Sequence, residues 1–344
     1  MKVKLGNSES GIVKLDYSRA MNGHMKITGD SGSGKSYFAQ KYVADYVEAG
    51  GQALIFGTDG VLDEKNLNPT VREAFFALGN EIRFEEGIPI PLFSPMKGED
   101  TEQCVLGLTN MLADMYTFGV RQFTELHVAL KYVIGSCPAE KRTFGLLLQE
   151  LYNAGSKESM SVFYRLLELG CLNTHLKQKE LIQAGAINRI IFPTSIPSSL
   201  QSNVCEIVLG YLWKLAHYGV FEERGLLIFI DEIQNWKGGK GSILPRILRE
   251  GRKFGLHLLA VTQDQEFLKG ELKKAIDQAG TKIYFKPALG RCNSIAKQIG
   301  FGQEREVASN LRHLDVGEFI ATGDLWIDEE RITSPLKIVS GKGG

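Results

Sequence analysis

The chain reads as an α/β protein, a mainly parallel sheet covered by helices on both faces and built around a phosphate-binding loop. Three observations predict it. A short apolar strand, Met25–Thr28, runs into Gly29-Asp-Ser-Gly-Ser-Gly-Lys35-Ser36 and then into a segment of helical spacing that reaches Val47. A strand of five apolar residues, Leu226–Ile230, ends in Asp231-Glu232. Around both, apolar runs of strand length alternate with amphipathic segments, the pattern of a parallel sheet buried on both faces.

Taken in order, residues 1–24 are a short β-rich lead-in, with strands over 2–5 and 11–15 and a turn at Asn22-Gly23. Met25–Thr28 and the glycine loop follow. Residues 52–56 form a second buried strand ended by Gly57-Thr-Asp-Gly60, and residues 81–84 a third. Ile88-Pro-Ile-Pro-Leu-Phe93 is an extended edge, because proline has no N–H for a central ladder. From 99 to 183 the period changes: Leu106, Leu108, Met111, Leu112 and Met115, then Leu126, Val128, Leu130, Val133 and Ile134, then 146–151 and 162–169, recur at helical spacing. The prediction is a helical insertion, 99–183, in a core made of 25–98 and 184–344. Strand returns over 187–192, and 200–217 is a strong amphipathic helix. After Leu226–Ile230 come a helix over 243–252 and strands over 256–262 and 282–285. Helices over 291–299 and 303–311 and a hairpin-like pair, 317–322 and 331–339, complete the chain.

Composition narrows the class. Of 344 residues 43% are apolar and 23% charged, and 40 Lys+Arg balance 40 Asp+Glu, which speaks against a free-standing, highly basic nucleic-acid binder. A ring with its basic residues confined to a pore stays compatible with it. The five cysteines (Cys104, Cys137, Cys171, Cys205, Cys292) form no C-x-x-C pair and read as free thiols of a reducing compartment. With no signal-like start and no run of membrane-spanning length, the expected location is cytoplasmic, without membrane insertion.

The glycine loop matches G-x-x-x-x-G-K-[ST] at every fixed position. At average residue usage this arises by accident in about one chain of this length in a hundred. Gly29, Gly32 and Gly34 let the backbone curl with its N–H groups inward, an anion nest at a helix N-terminus. Residues Gly29, Asp30, Ser31, Gly32, Ser33, Gly34, Lys35, Ser36 and Tyr37 are therefore the expected ATP cradle. Lys35 would reach the β- and γ-phosphates and Ser36 would hold Mg²⁺.

Asp231-Glu232 after an apolar strand is a Walker B sequence, placed at the strand end where open α/β sheets bind ligands. Asp231 is the expected second Mg²⁺ partner and Glu232 the residue that orients the attacking water. Strand 256–262 ends in Thr262-Gln263, so Gln263 is expected to face the γ-phosphate. The run 245–255 concentrates Arg246, Arg249, Arg252 and Lys253. It is either a solvated helix face or, in a ring ATPase, the source of an arginine for the neighbour's γ-phosphate, with Arg252 the first candidate and Arg249 the second.

These residues carry a resemblance. Asp231-Glu-Ile-Gln-Asn, then Leu248-Arg-Glu-Gly-Arg-Lys-Phe-Gly255, then Leu258-Leu-Ala-Val-Thr-Gln263 resemble the HerA–FtsK superfamily of hexameric DNA-pumping ATPases, and within it the HerA branch and the ATPases of conjugative transfer. Gly23-His24 ahead of the loop and Leu314-x-x-Gly317-Glu-Phe-Ile-Ala-Thr-Gly323 near the end fit as well. The likeness covers most of 1–60 and 187–340, while 99–183 carries no matching motif. The chain departs from the family in having no long N-terminal β-barrel and no winged-helix tail.

What the resemblance implies is a P-loop NTPase core of RecA/ASCE type and a Mg²⁺-dependent ATP hydrolase forming a homohexamer. Its cargo would be duplex DNA contacted without sequence preference, with a nuclease or a phage-defence effector as a partner. Two alternatives stand beside it: an ATPase powering conjugative DNA or protein transfer, and an ATP-gated scaffold that regulates an effector. Lys237, Lys240, Lys269, Lys273 and Lys274 are pore candidates or ordinary surface lysines.

Overall fold

The computed structural model describes residues 1–57, 67, 69–154, 157–173, 180–236, 239, 241–263, 268 and 270–340. In chain order its strands are β1 (Lys2–Ser8), β2 (Gly11–Asp16), β3 (Met25–Thr28), β4 (Gln52–Gly57), β5 (Gly79–Arg83), β6 (Ile88–Pro89), β7 (Leu172–Asn173) and β8 (Ile187–Ile191). After these come β9 (Leu226–Ile230), β10 (Leu256–Thr262), β11 (Thr281–Phe285), β12 (Glu318–Gly323), β13 (Leu325–Ile327), β14 (Glu330–Ile332) and β15 (Leu336–Val339). All but β6 and β7 join one sheet, in the order β14-β13-β2-β1-β15-β12-β11-β3-β10-β9-β4-β8-β5.

From β11 to β5 every neighbouring pair is parallel. Of these, β4, β9 and β10 read as near-continuous apolar runs because both faces are covered. The two-residue period still sorts their side chains. Leu226, Ile228 and Ile230 of β9, with Leu256, Leu258 and Ala260 of β10, point into one apolar cluster. Leu227 and Phe229, with Leu259 and Val261, point into the cluster on the other face.

On the second face lies α1 (Lys35–Glu48), whose Phe38, Tyr42 and Tyr46 are buried there, beside the short α2 (Pro69–Ala77), which holds Val71 and Phe75 against the same cluster. The first face carries α3 (Thr101–Tyr116), α4 (Val120–Ser136), α5 (Phe144–Ala154), α6 (Lys157–Phe163), α7 (Ser198–His217), α8 (Ile243–Glu250) and α9 (Gly270–Ile276). Asp100 opens α3 with a capping box: its carboxylate accepts from the Gln103 N–H at 2.7 Å, and the Gln103 side chain accepts from the Asp100 N–H at 3.2 Å. Leu112, Leu130 and Leu147 from this helical stretch share one cluster with Leu54 and Ile228 of the sheet. The pair α10 (Cys292–Ile299) and α11 (Glu304–Arg312) packs separately on Tyr284 and Ile320 of β11 and β12.

Several expectations change in detail. The lead-in is a hairpin, β1 with β2, and it is built into the main sheet between β15 and β13. Gly6 permits this, since a Cβ there would stand 2.5 Å from the Val339 carbonyl oxygen. The hairpin-like end is four strands, β12 to β15, interleaved with that hairpin. Only Ile88–Pro89 of the proline-rich edge pairs, with β7 at the far end of the helical stretch. Helix 243–252 stops at Glu250 and tightens into a 3₁₀ turn over Gly251–Phe254. Gly255 ends it at φ 74°, where a Cβ would lie 2.2 Å from the Phe221 carbonyl oxygen.

Candidate nucleotide site

β3 delivers the chain into the glycine loop and α1 takes it away. Gly29, Gly32 and Gly34 sit at φ 155°, 74° and 101°, conformations that side-chain-bearing residues avoid. At Gly29 a Cβ would also come 2.6 Å from the Cβ of Phe285. The loop is anchored from outside: the Asp30 N–H donates to the Lys286 carbonyl at 2.8 Å, and the Gly317 N–H to that of Ser33 at 3.1 Å. The Ser33 hydroxyl donates to the Asp30 carbonyl at 2.7 Å. α1 starts with glycine as its N-cap, no capping side chain and no acidic residue in its first turn, so its leading N–H groups are left for an external anion.

Lys35 folds its ammonium onto the Asp30 carbonyl at 2.7 Å. Burial pulls its pKa below the ordinary lysine value, opposed by Glu232, Asp231 and Asp30. Ser36 is exposed at the mouth of the loop. Tyr37 differs from its neighbours, because its hydroxyl pairs with Thr70 at 3.0 Å and ties the side chain to α2.

Opposite the loop, β9 ends in the acidic pair. Burial and the adjacent Glu232 push the Asp231 carboxyl up to about 6, against the pull of the Glu232 N–H, of Lys35 and of a hydrogen bond with Ser36. Asp231 and Ser36 thus meet as sequence reasoning placed them. Among the described residues no group of three or more His, Cys, Asp or Glu could hold a metal ion. A magnesium ion at the Asp231–Ser36 pair would therefore be completed by phosphate oxygens and water, its usual manner of binding, and its charge would offset what raises Asp231.

Glu232 stands in the left-handed region, φ 46°, a conformation that costs about 1–3 kcal/mol for a residue with a side chain. Two amides hold its carboxylate: Gln263 Nε2 donates to Oε1 at 2.6 Å and Gln234 Nε2 donates to Oε2. Gln234 Oε1 in turn accepts from the Thr262 hydroxyl at 2.7 Å. Gln234 and Thr262 were not among the expected site residues. Both border ones that were, Gln234 two residues after Glu232 and Thr262 one before Gln263. β10 runs between β3 and β9, with Thr262 level with Thr28 and Ala260 level with Ile230, which carries Gln263 to the same edge as the loop and the acidic pair.

The arginines are elsewhere. Arg252 precedes β10, whose seven residues span about 23 Å, so it lies at the opposite edge of the sheet from Gln263. Its guanidinium donates to the Met21 carbonyl ahead of β3, and Arg249 pairs with Glu271 at 3.0 Å. The two border a cavity of about 370 Å³ together with Asn22, Asp324 and Arg331. Neither joins Lys35 and Asp231 within one chain. Lys237, Lys240 and Lys269 lie outside the described residues; Lys273 is exposed on α9, and Lys274 pairs with Glu271 at 3.2 Å.

Compared with solved structures, the chain aligns over 99% of its length with VirB4 of Thermoanaerobacter pseudethanolicus, covering 96% of that chain at 16% identity and a TM-score of 0.69. The fold is the P-loop ATPase fold. The plasmid coupling protein TrwB in complex with ADP and Mg²⁺ aligns over 92% of this chain and 84% of its own at 11% identity, TM-score 0.59. TrwB with a non-hydrolysable ATP analogue gives 13%, 92%, 85% and 0.58. At these identities the likeness is one of fold, and at that level it agrees with the resemblance drawn from the motifs. No family model matches the chain, and no curated protein matches it in sequence. Among the described residues no helix is long and apolar enough to cross a membrane.

Proposed function

We propose that this chain is a Mg²⁺-dependent ATPase that works as a ring, with six copies the expected number, and uses ATP to drive DNA transfer. One observation carries the catalytic part: the loop with Lys35 and Ser36, the Asp231–Glu232 pair and Gln263 come from three neighbouring strand ends and face one another. The loop N–H groups and Lys35 bind and orient the phosphates, Lys35 exchanging the Asp30 carbonyl for phosphate oxygen. Ser36 and Asp231 would hold Mg²⁺, which when bound would supply charge neutralisation to the phosphates. Glu232 orients the attacking water and takes its proton, and Gln263 fixes the carboxylate that does so.

The ring is supported by the position of Arg252 and Arg249, a strand length from their own loop and exposed beside an open cavity. The fold agreement over nearly the whole of the solved VirB4 chain, and with TrwB, which is described as a conjugative coupling protein, favours a transfer ATPase over a regulatory scaffold. A duplex pump of HerA type is the narrower form of this reading. ATP turnover alone, with single-stranded DNA and with duplex DNA tests it. A several-fold rise with DNA is expected, and the form of DNA that gives it decides between transfer and duplex pumping. Glu232→Gln should keep ATP binding and lose turnover by roughly 10²–10⁴. Equal turnover with and without DNA would overturn the transfer reading, and full activity of Glu232→Gln the catalytic one.

A further inference from the structure

A second site lies beside the nucleotide site, on the face of the sheet away from α1. On that face one apolar cluster ends at β10 and another begins at β11, and the strand between them, β3, presents Lys26 and Thr28. The gap is a cleft of about 680 Å³, walled by α9 and α10 and open at one end to Gly29, Asp30 and Gln263. This is within the range of about 300–1,000 Å³ typical of ligand sites.

Its charge is unusual for a chain of zero net charge. Lys26, Lys273, Lys282 and Arg291 line it against Asp30 and Asp277. Lys26 and Lys282 are direct partners in the β3–β11 register, so two ammonium-bearing side chains stand side by side on one face, an arrangement that costs stability without a shared anion. The Lys26 side chain is only 3% exposed, and its partner Asp277, at 2.6 Å, is 47% exposed. Burial, together with Lys282 and Lys273, lowers its pKa, with Asp277 opposing. The pair is half-exposed through Asp277, so it is weak evidence that Lys26 serves folding, and it leaves a buried cation at the wall of the cleft.

We propose that this cleft binds a phosphodiester segment of nucleic acid through Lys26, Lys273, Lys282 and Arg291. The proposal rests on the DNA-transfer reading and gives that reading a place on the chain. The cations come from β3, β11, α9 and the 3₁₀ turn just ahead of α10, a spread that suits a row of phosphates. The one aromatic ring among the described lining residues, Tyr284, is 3% exposed and offers no face for a stacked base. Recognition is therefore of the backbone and independent of sequence.

The test is fluorescence anisotropy of a labelled oligonucleotide, single-stranded and duplex, with wild type and with Lys273→Glu/Lys282→Glu, across a salt series. A fluorescent ADP is titrated in parallel, and Lys131→Glu, at a 59%-exposed side chain on α4, is the control. The double variant should bind the oligonucleotide roughly tenfold more weakly or worse, with a shallower salt slope, while ADP affinity and the control stay at wild-type values. Lys26→Met should stay folded, leaving Asp277 in water, and should also weaken the oligonucleotide. Oligonucleotide affinity of the double variant within twofold of wild type would overturn the site while leaving the ATPase reading intact. Loss of ADP binding in step with the oligonucleotide would also overturn it, since the cleft would then hold the nucleotide. A wild-type chain that hydrolyses ATP but binds no nucleic acid would overturn both this site and the DNA-transfer reading.

Discussion

The two edges of the parallel sheet are made of the same strands and behave as opposites. At the C-terminal edge, β3, β9 and β10 end in a glycine loop, a carboxylate pair and Gln263, all tied to one another within the chain. At the N-terminal edge the same region of chain presents Arg249 and Arg252, held by Glu271 and by a backbone carbonyl beside an open cavity. One edge has the phosphate cradle and its acidic pair but no arginine, and the other has exposed arginines and no cradle. In the ring proposed above, two copies would complete what one does not.

The contrast can be broken hardest at the loop. Lys35→Ala removes the ammonium held at its mouth, and ATP binding or turnover should fall at least a hundredfold; turnover within twofold of wild type would end the site assignment. The opposite edge comes next. Arg252→Ala should lower turnover by roughly 10³ while changing ATP affinity far less, because a guanidinium meeting a neighbour's γ-phosphate acts chiefly in the transition state. Mixing these two inactive chains should restore part of the activity, since some interfaces then pair an intact loop with an intact arginine. Co-assembly without recovery would place Arg252 in a structural role, and normal turnover of the single variant would move the role to Arg249.

Smaller changes sharpen the picture of the tied edge. Gln234→Ala removes one of the two amides that hold Glu232, and kcat should drop about tenfold with KM for ATP unchanged. A rise in KM with kcat preserved would mean that Gln234 serves binding. Asp231→Asn tests the electrostatic strain. A carboxyl raised to about 6 in the fold and near 3.8 when unfolded is favoured in its protonated form, so it costs the native state nothing below pH 4 and up to about 3 kcal/mol above pH 6. Without nucleotide, Asp231→Asn should therefore raise Tm at pH 7–8 and leave it unchanged near pH 4, while Mg²⁺-dependent turnover is lost. An equal Tm shift at both pH values would refute the assignment of strain.

Sequence legibility followed the same division. Strands β3 and β10 have the bounds that the apolar runs predict, because local signals such as Gly29 and Gly255 end or flank them. The phosphate loop and Asp231-Glu232 were legible because their chemistry needs fixed residue types at fixed spacing. Gln234 was not: its role depends on the left-handed turn at Glu232 and on Thr262 reaching across from another strand, neither of which spacing encodes. The positions of the first hairpin and of β12 to β15 were likewise hidden, since alternating residues such as Val3, Leu5, Val13 and Leu15 state which face is apolar and not which strand lies alongside. α2 and α9, nine and seven residues long, bury too few side chains to show a period.

The helical stretch between β6 and β7 closes the same apolar cluster as the sheet, with Leu112, Leu130 and Leu147 against residues that include Leu54 and Ile228. With one core shared in this way, heat or denaturant would take the helices and the sheet strands together, in one cooperative melting step. A loosening deep in the helical stretch is then felt by β9, the strand that leads into Asp231 and Glu232.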